Sequence, residues 1–287
     1  MRNYRQMMDL ILRTACDDSR IRAVVMNGSR ANPNAPQDMF QDYDIVYIVR
    51  DLPSLVNGDE LINAFGGRIM LQTPETMRDP IGDGRFTYLA LLDDGNRIDL
   101  QLIPADRMEI LEEDSESILL LDKDGLFKPF PPASDSGYHV RPPDEKEYDS
   151  CCNNFWWCMQ NVAKGIWRDE MPYAIGMFEA NVRAELNDLV SWHIGLKYNY
   201  AVSVGKLGKY FKRLMSAEHY EAYAETYCDG AARSAWKAVF TACALFRTLA
   251  RPLAAHFGYA YPEEDDARMS AYLKRVSELE PGAAAIF

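Results

Sequence analysis

Apolar and polar positions follow two different periods in the two halves of this chain. Up to about residue 122 the pattern is short and strand-like. Ile21 to Met26, Ile45 to Val49, Arg68 to Gln72 and Thr87 to Leu92 are aliphatic, aromatic or β-branched runs bounded by turn formers. Asp93-Asp94-Gly95-Asn96 reads as a turn, and the run beginning at Arg97 completes a hairpin with the strand before it. In that run Arg97, Asp99 and Gln101 share one face, and Ile98, Leu100 and Leu102 the other. Ile118 to Leu121 adds an edge strand. Two stretches have helical spacing. Met7 to Ala15 carries Met7, Leu10, Ile11 and Thr14 on one stripe, and Ser54 to Phe65 follows Pro53, placed where a missing amide costs nothing.

Between Phe127 and Pro143 the texture changes. Pro129, Pro131, Pro132, Pro142 and Pro143, interspersed with Ser and Gly, predict an extended linker. Beyond it the strand signal disappears, and residues 148–166, 172–195, 208–215, 217–227 and 231–257 all fit helices. The expected fold is α+β: a mixed sheet with helices over residues 1–128, a Pro-rich linker over 129–144, and a helical-bundle domain over 145–287.

Composition narrows the function. The chain has 287 residues, 48% of them apolar, enough for two cores. The N-terminus has no signal-peptide core and no apolar run reaches membrane-spanning length, so a cytoplasmic protein with no membrane partner is expected. Six cysteines without metal or disulfide spacing fit a reducing compartment. The formal net charge of -12 argues against nucleic acid, whose phosphates need a basic footprint, and it steers cations inward. Dispersed His139, His193, His219 and His256 suggest no chemistry, and Glu263 to Asp266 read as the acidic start of a solvated helix.

The chemistry-bearing pattern is Gly28-Ser29 after a strand, then Asp42-Tyr43-Asp44 heading the next, then Asp99 on a later one. Side chains two apart on a strand share a face about 7 Å apart, so Asp42 and Asp44 point one way and Tyr43 the other. Two adjacent strands could present all three acids at one spot. Such a cluster is costly unless cations neutralise it, and oxygen-only ligands suit Mg²⁺. Mg²⁺ usually completes its shell with phosphate oxygens, which makes the cluster a nucleotide-site candidate. A glycine lets backbone approach a phosphate, and the Ser29 hydroxyl and turn amides can donate to it.

The order Gly28-Ser29, Asp42-x-Asp44, Asp99 resembles the signature of the polymerase-β-like nucleotidyltransferase superfamily. Asn27-Gly28-Ser29-Arg30-Ala31-Asn32, Gln41-Asp42-Tyr43-Asp44-Ile45, Asp93 to Leu100, Lys123-Asp124-Gly125, Phe155-Trp156-Trp157, Asn161 to Gly165, Arg168-Asp169-Glu170 and Ser191 to Gly195 resemble the streptomycin (aminoglycoside 6-) adenylyltransferases. The resemblance implies an N-terminal nucleotidyltransferase domain, ATP as co-substrate, an aminoglycoside hydroxyl as acceptor, pyrophosphate as product and antibiotic resistance as outcome. Asp42 and Asp44 would hold Mg²⁺ at the triphosphate. Asp99 is the first candidate for ligating a second metal and taking the hydroxyl proton, with Glu185 or Asp169 as alternative bases. Arg30, Lys206 and Lys209 are candidates for balancing the phosphates, as is Lys164, although a lysine in a last helical turn also answers the helix dipole.

A cationic acceptor such as streptomycin calls for acids and flat aromatic faces. Trp157, Trp192, Asp169, Glu170 and Glu185 are the candidates. Each tryptophan alone is also explained by core packing, but adjacent Trp156 and Trp157 cannot both face one side of a helix. Glu179 and Glu185 flank Arg183, where a structural ion pair is the competing role. A monomer or weak homodimer is expected. The rival readings are a nucleotidyltransferase for another small-molecule hydroxyl, and a non-catalytic, antitoxin-like regulatory module of the same fold.

Overall fold

The strand-like runs of the first half form one six-stranded sheet. The computed structural model describes residues 1–111 and 113–287. In it β1 (Ile21–Asn27), β2 (Tyr43–Val49), β3 (Arg68–Gln72), β4 (Phe86–Leu92), β5 (Arg97–Pro104) and β6 (Ile118–Asp122) take the order β3-β4-β5-β2-β1-β6. Every neighbouring pair is antiparallel except β2 and β5, which run parallel. Two antiparallel pieces are thus joined by one parallel ladder.

Alternation gives each face of β2 its own partners. Tyr43, Ile45, Tyr47 and Val49 are buried against Met7 and Ile11 of α1 (Tyr4–Asp17) and against Leu55 and Phe65. An Asn3–Gln6 capping box starts α1, and the Tyr47 hydroxyl donates to the Ile11 carbonyl at 2.7 Å, tying helix to strand. On the opposite face a smaller cluster joins Val46, Ile48 and Ile103 to Ala23 and Val25, with Phe127 and Phe130 packed on it. Asp44 lies on that second face, two residues ahead of Val46.

One local expectation is corrected. The stretch from Ser54 to Phe65 is two short helices, α2 (Leu52–Val56) and α3 (Glu60–Asn63), because Asn57-Gly58-Asp59 interrupts it and Gly58 takes a φ of +103°. The Pro-rich stretch is extended but tied down. Phe130 packs edge-on against Phe127, and the Ser134 amide donates to the Ser115 carbonyl at 2.8 Å. Internal contacts divide the chain into the units Met1–Gly137 and Tyr138–Phe287, a division that falls inside this stretch.

The second unit is helical throughout: α4 (Glu145–Trp167), α5 (Met171–Met177), α6 (Arg183–Lys197), α7 (Phe211–Leu214), α8 (Ala217–Ala224), α9 (Ala232–Phe257) and α10 (Glu263–Ser277). An Asp144–Glu147 capping box starts α4. Residues 172–195, expected as one helix, contain a π-helical turn at Phe178–Val182 between α5 and α6. Phe155 and Phe246 stack in the core at 3.7 Å between ring centroids. Among the described residues α9 is the one helix with the length and composition of a membrane span, against the expectation that no apolar run reaches that length. Its Ala242, Phe246, Leu249 and Leu253 are fully buried in the helical core.

Asp266 ties α10 to this core. It is 3% exposed and accepts from Arg247 Nε at 2.6 Å and Nη2 at 2.5 Å, from Tyr261 Oη at 2.8 Å and from Ser270 Oγ at 2.9 Å. Burial alone would raise its pKa, but these donors hold it below the usual carboxylate range. Asp266→Ala should cost about 3 kcal/mol, the low end for breaking a buried pair because Arg247 retains some solvent. Urea denaturation is the measurement, and a loss below about 1 kcal/mol would deny the network this weight.

Candidate active site

Strand register assembles the three acids. Asn27, the last residue of β1, pairs with Asp44 across the antiparallel ladder, and Asp44 pairs with Asp99 across the parallel one. Neighbours in register share a face, so the Asp44 and Asp99 carboxylates stand side by side. Asp42, one residue ahead of β2, turns to the same face. One carboxylate oxygen from each of Asp42, Asp44 and Asp99 lies within 4.8 Å of the others. Gly28 opens the single 3-10 turn Gly28–Arg30 that follows β1, at a φ of +73°. A Cβ there would sit 2.3 Å from Asp44 Oδ2. The close approach that requires glycine in this structure is therefore to the Asp44 carboxylate.

Two arginines organise the cluster. Arg30 donates from Nε to the Asp42 carbonyl at 2.9 Å and from Nη2 to the Gln41 carbonyl at 2.6 Å, with its guanidinium 3.9 Å from the Tyr43 ring centroid. In this structure it braces the backbone that delivers Asp42. Gln41 closes the loop by donating from Nε2 to the Ser29 carbonyl at 3.2 Å and hydroxyl at 3.3 Å. Arg97, which the sequence reading did not assign, grips Asp99 with both arms, Nε to Oδ1 at 2.8 Å and Nη2 to Oδ2 at 2.5 Å. Its Nε is also 3.9 Å from Asp42 Oδ2. The signal for it was present: Arg97 is two residues from Asp99 on the same strand face. Half-buried Asp44 is pushed up to about 7 by burial first, then by the charges of Asp42 and Asp99, with Arg97 opposing. Hard oxygen donors at this spacing, short of positive charge, fit a divalent cation such as Mg²⁺.

Comparison with known proteins adds the family. Residues 1–276 match the family model described as streptomycin adenylyltransferase. The chain belongs to the streptomycin adenylyltransferase family. It is 38% identical over 270 residues to the aminoglycoside 6-adenylyltransferase of Bacillus subtilis (strain 168), covering 93% of this chain and 95% of that one. The Campylobacter jejuni aminoglycoside 6-adenylyltransferase is 37% identical over 280 residues, 96% of each chain. A crystal structure of an aminoglycoside 6-adenyltransferase from Bacillus subtilis is similar at 34% identity, with a TM-score of 0.48 over 97% of this chain and 100% of that one.

The remaining candidates of this adenylyltransferase lie in its second unit. On α4, Trp156 is buried at 2% exposure and Trp157 is 63% exposed, so the adjacent pair divides between core and solvent. Trp192 is half-buried and packs against the helical core. Glu185 accepts from Asn154 Nδ2 at 2.6 Å, whereas Glu179 takes the ion pair with buried Arg183 at 2.9 Å. Asp169 and Glu170 are exposed at the α4–α5 junction, where Asp169 adopts a φ of +57°. Lys206 and Lys209 are exposed around the 3-10 turn Lys206–Gly208, and Lys164 Nζ donates to Asn161 Oδ1 at 3.0 Å.

Two expected outcomes follow from the cluster. Gly28→Ala should displace the Asp44 carboxylate and abolish divalent-cation binding while circular dichroism stays native; retained Mn²⁺ affinity would refute the close-packing argument. Asp44, raised to about 7 from 3.8, stabilises the fold fully below about pH 4 and loses that contribution as pH climbs through 7. In chelator, Asp44→Asn should therefore melt above the unmodified protein at pH 8 and level with it below pH 4. Mg²⁺ should close the pH 8 gap; a gap independent of pH would count against the assignment.

Proposed function

We propose that this protein transfers the adenylyl group of ATP to a hydroxyl of an aminoglycoside, streptomycin first, with Mg²⁺ as the metal and pyrophosphate as the second product, and so confers resistance. The observation that carries the reading is the trio Asp42, Asp44 and Asp99 beside the Gly28-Ser29 turn, in a chain of this family. The names of its relatives, aminoglycoside 6-adenylyltransferases, support the acceptor class. Six free thiols, four of them buried, are in keeping with a reducing cytoplasm.

Mg²⁺, held by Asp42, Asp44 and Asp99, would supply positive charge at the triphosphate. The Ser29 hydroxyl and the first amides of the Gly28–Arg30 turn, which have no partner within so short a turn, donate to phosphate oxygens. Asp99 accepts the acceptor's hydroxyl proton, that oxygen bonds to the α-phosphorus, and the bond to the β-phosphate oxygen breaks. In the second unit, Trp157 and Trp192 offer flat faces, and Asp169, Glu170 and Glu185 offer carboxylates matched to guanidinium and ammonium groups. Lys206 and Lys209 add cations for the nucleotide.

The test is ATP consumption with Mg²⁺, with and without streptomycin, other aminoglycosides and a neutral sugar alcohol, reading the adenylylated product by mass. Streptomycin-dependent turnover is expected, with Asp42→Asn and Asp44→Asn reducing it by orders of magnitude and Asp99→Asn abolishing transfer while ATP still binds. Loss of transfer in Glu185→Gln or Asp169→Asn, with Asp99→Asn merely weakening metal binding, would move the base to the second unit. Turnover with another aminoglycoside or the neutral alcohol alone would overturn streptomycin and leave nucleotidyl transfer standing.

A further inference from the structure

We propose that Arg97 is a resident counter-cation of the acid cluster, which holds Asp99 while no metal is bound and releases it when a divalent ion arrives. The inference rests on the metal-binding reading of the three acids. Both Asp99 carboxylate oxygens are engaged by the Arg97 fork, at 2.8 and 2.5 Å, and the same guanidinium lies 3.9 Å from Asp42. In that state the fork occupies one lone-pair position on each Asp99 oxygen, the pair on the side facing Arg97. A cation that used both oxygens together would compete with the fork for the same side of the carboxylate and for its charge. Among the described residues, Arg97 is the cation paired with these acids.

The placement suits an exchangeable partner better than a structural brace. Arg97 is the first residue of β5, just past the Gly95 turn, and its side chain is 49% exposed against 16% for Asp99. It can swing into solvent without disturbing the strand. Arg22–Asp124, by contrast, links β1 to the segment after β6, and Asp266–Arg247 links two helices. The Arg97–Asp99 pair joins residues two apart on one strand, which the backbone already holds together. Its effect falls on the charge of the cluster.

The experiment measures Mn²⁺ affinity by electron paramagnetic resonance, without nucleotide, on full-length protein and on the Arg97→Gln and Arg97→Lys variants, together with melting in chelator. Removing a competing unit charge within about 4 Å should make Arg97→Gln bind Mn²⁺ roughly tenfold more tightly. The same variant should melt lower than the unmodified protein in chelator and recover at saturating Mn²⁺. Arg97→Lys, a cation without the fork, should fall between the two on both measures. Equal or weaker Mn²⁺ affinity in Arg97→Gln would overturn the exchange and leave the metal site intact. Absence of Mn²⁺ binding in all three proteins would overturn the metal site and the exchange together.

Discussion

Mutual repulsion among three carboxylates within 4.8 Å of one another is the constraint around which the first unit is arranged. Left alone, Asp42, Asp44 and Asp99 would move apart; the sheet prevents it, because backbone hydrogen bonds fix Asp44 beside Asp99. Each pKa unit corresponds to about 1.4 kcal/mol, so an Asp44 raised to about 7 costs a few kcal/mol when ionised. That is a large share of the roughly 5–15 kcal/mol by which domains are stable. The surrounding residues answer that repulsion. Gly28 yields the space for one carboxylate, Arg30 clamps the carbonyls that aim another, and Arg97 lends charge to the third. Beneath them Tyr43, Ile45 and Tyr47 are almost fully buried, so the strand has little freedom to relax.

The second unit manages its acids by pairing some and exposing others. Buried Arg183 lies 3.8 Å from the Tyr227 ring centroid, holds Glu179, and donates to the Thr226 hydroxyl and carbonyl. Asp266 is likewise satisfied by four hydrogen bonds. Glu185, Asp169 and Glu170 are left with weaker or solvent-facing partners. A strongly negative chain thus keeps part of its charge available in a helical framework that does not depend on neutralising it.

The sheet was legible mainly as short apolar runs bounded by turn formers, because β1 and β2 bury side chains on both faces, while β5 showed itself by alternation. The acids were legible because strand spacing and turn residues are local. What escaped was decided by partners distant in sequence or by a single backbone angle. Gly58 marked the break between α2 and α3, but the apolar spacing around it still suited one helix. Arg30 beside a Gly-Ser turn suggests phosphate binding, and its further hold on the Gln41 and Asp42 carbonyls depends on a loop the sequence does not place. The π-helical turn before Arg183 leaves no compositional trace, because it changes hydrogen-bond register without requiring a special residue.

The parallel ladder between β2 and β5 also decides when the site exists. The pieces β3-β4-β5 and β2-β1-β6 are each antiparallel, and the strand pairs β4–β5 and β3–β4 close over short stretches of chain. Joining the pieces brings together strands whose paired acids are far apart in sequence, and such contacts form late and slowly. Asp99 meets Asp42 and Asp44 only at that seam. A slip of one residue there would set Asp44 against Ile98 or Leu100, on the opposite face of the sheet. The same slip would turn one apolar strand face out of the core that Ile45 and Tyr47 share with Ile98 and Leu100, so the register that seats the core is also the one that assembles the acid cluster.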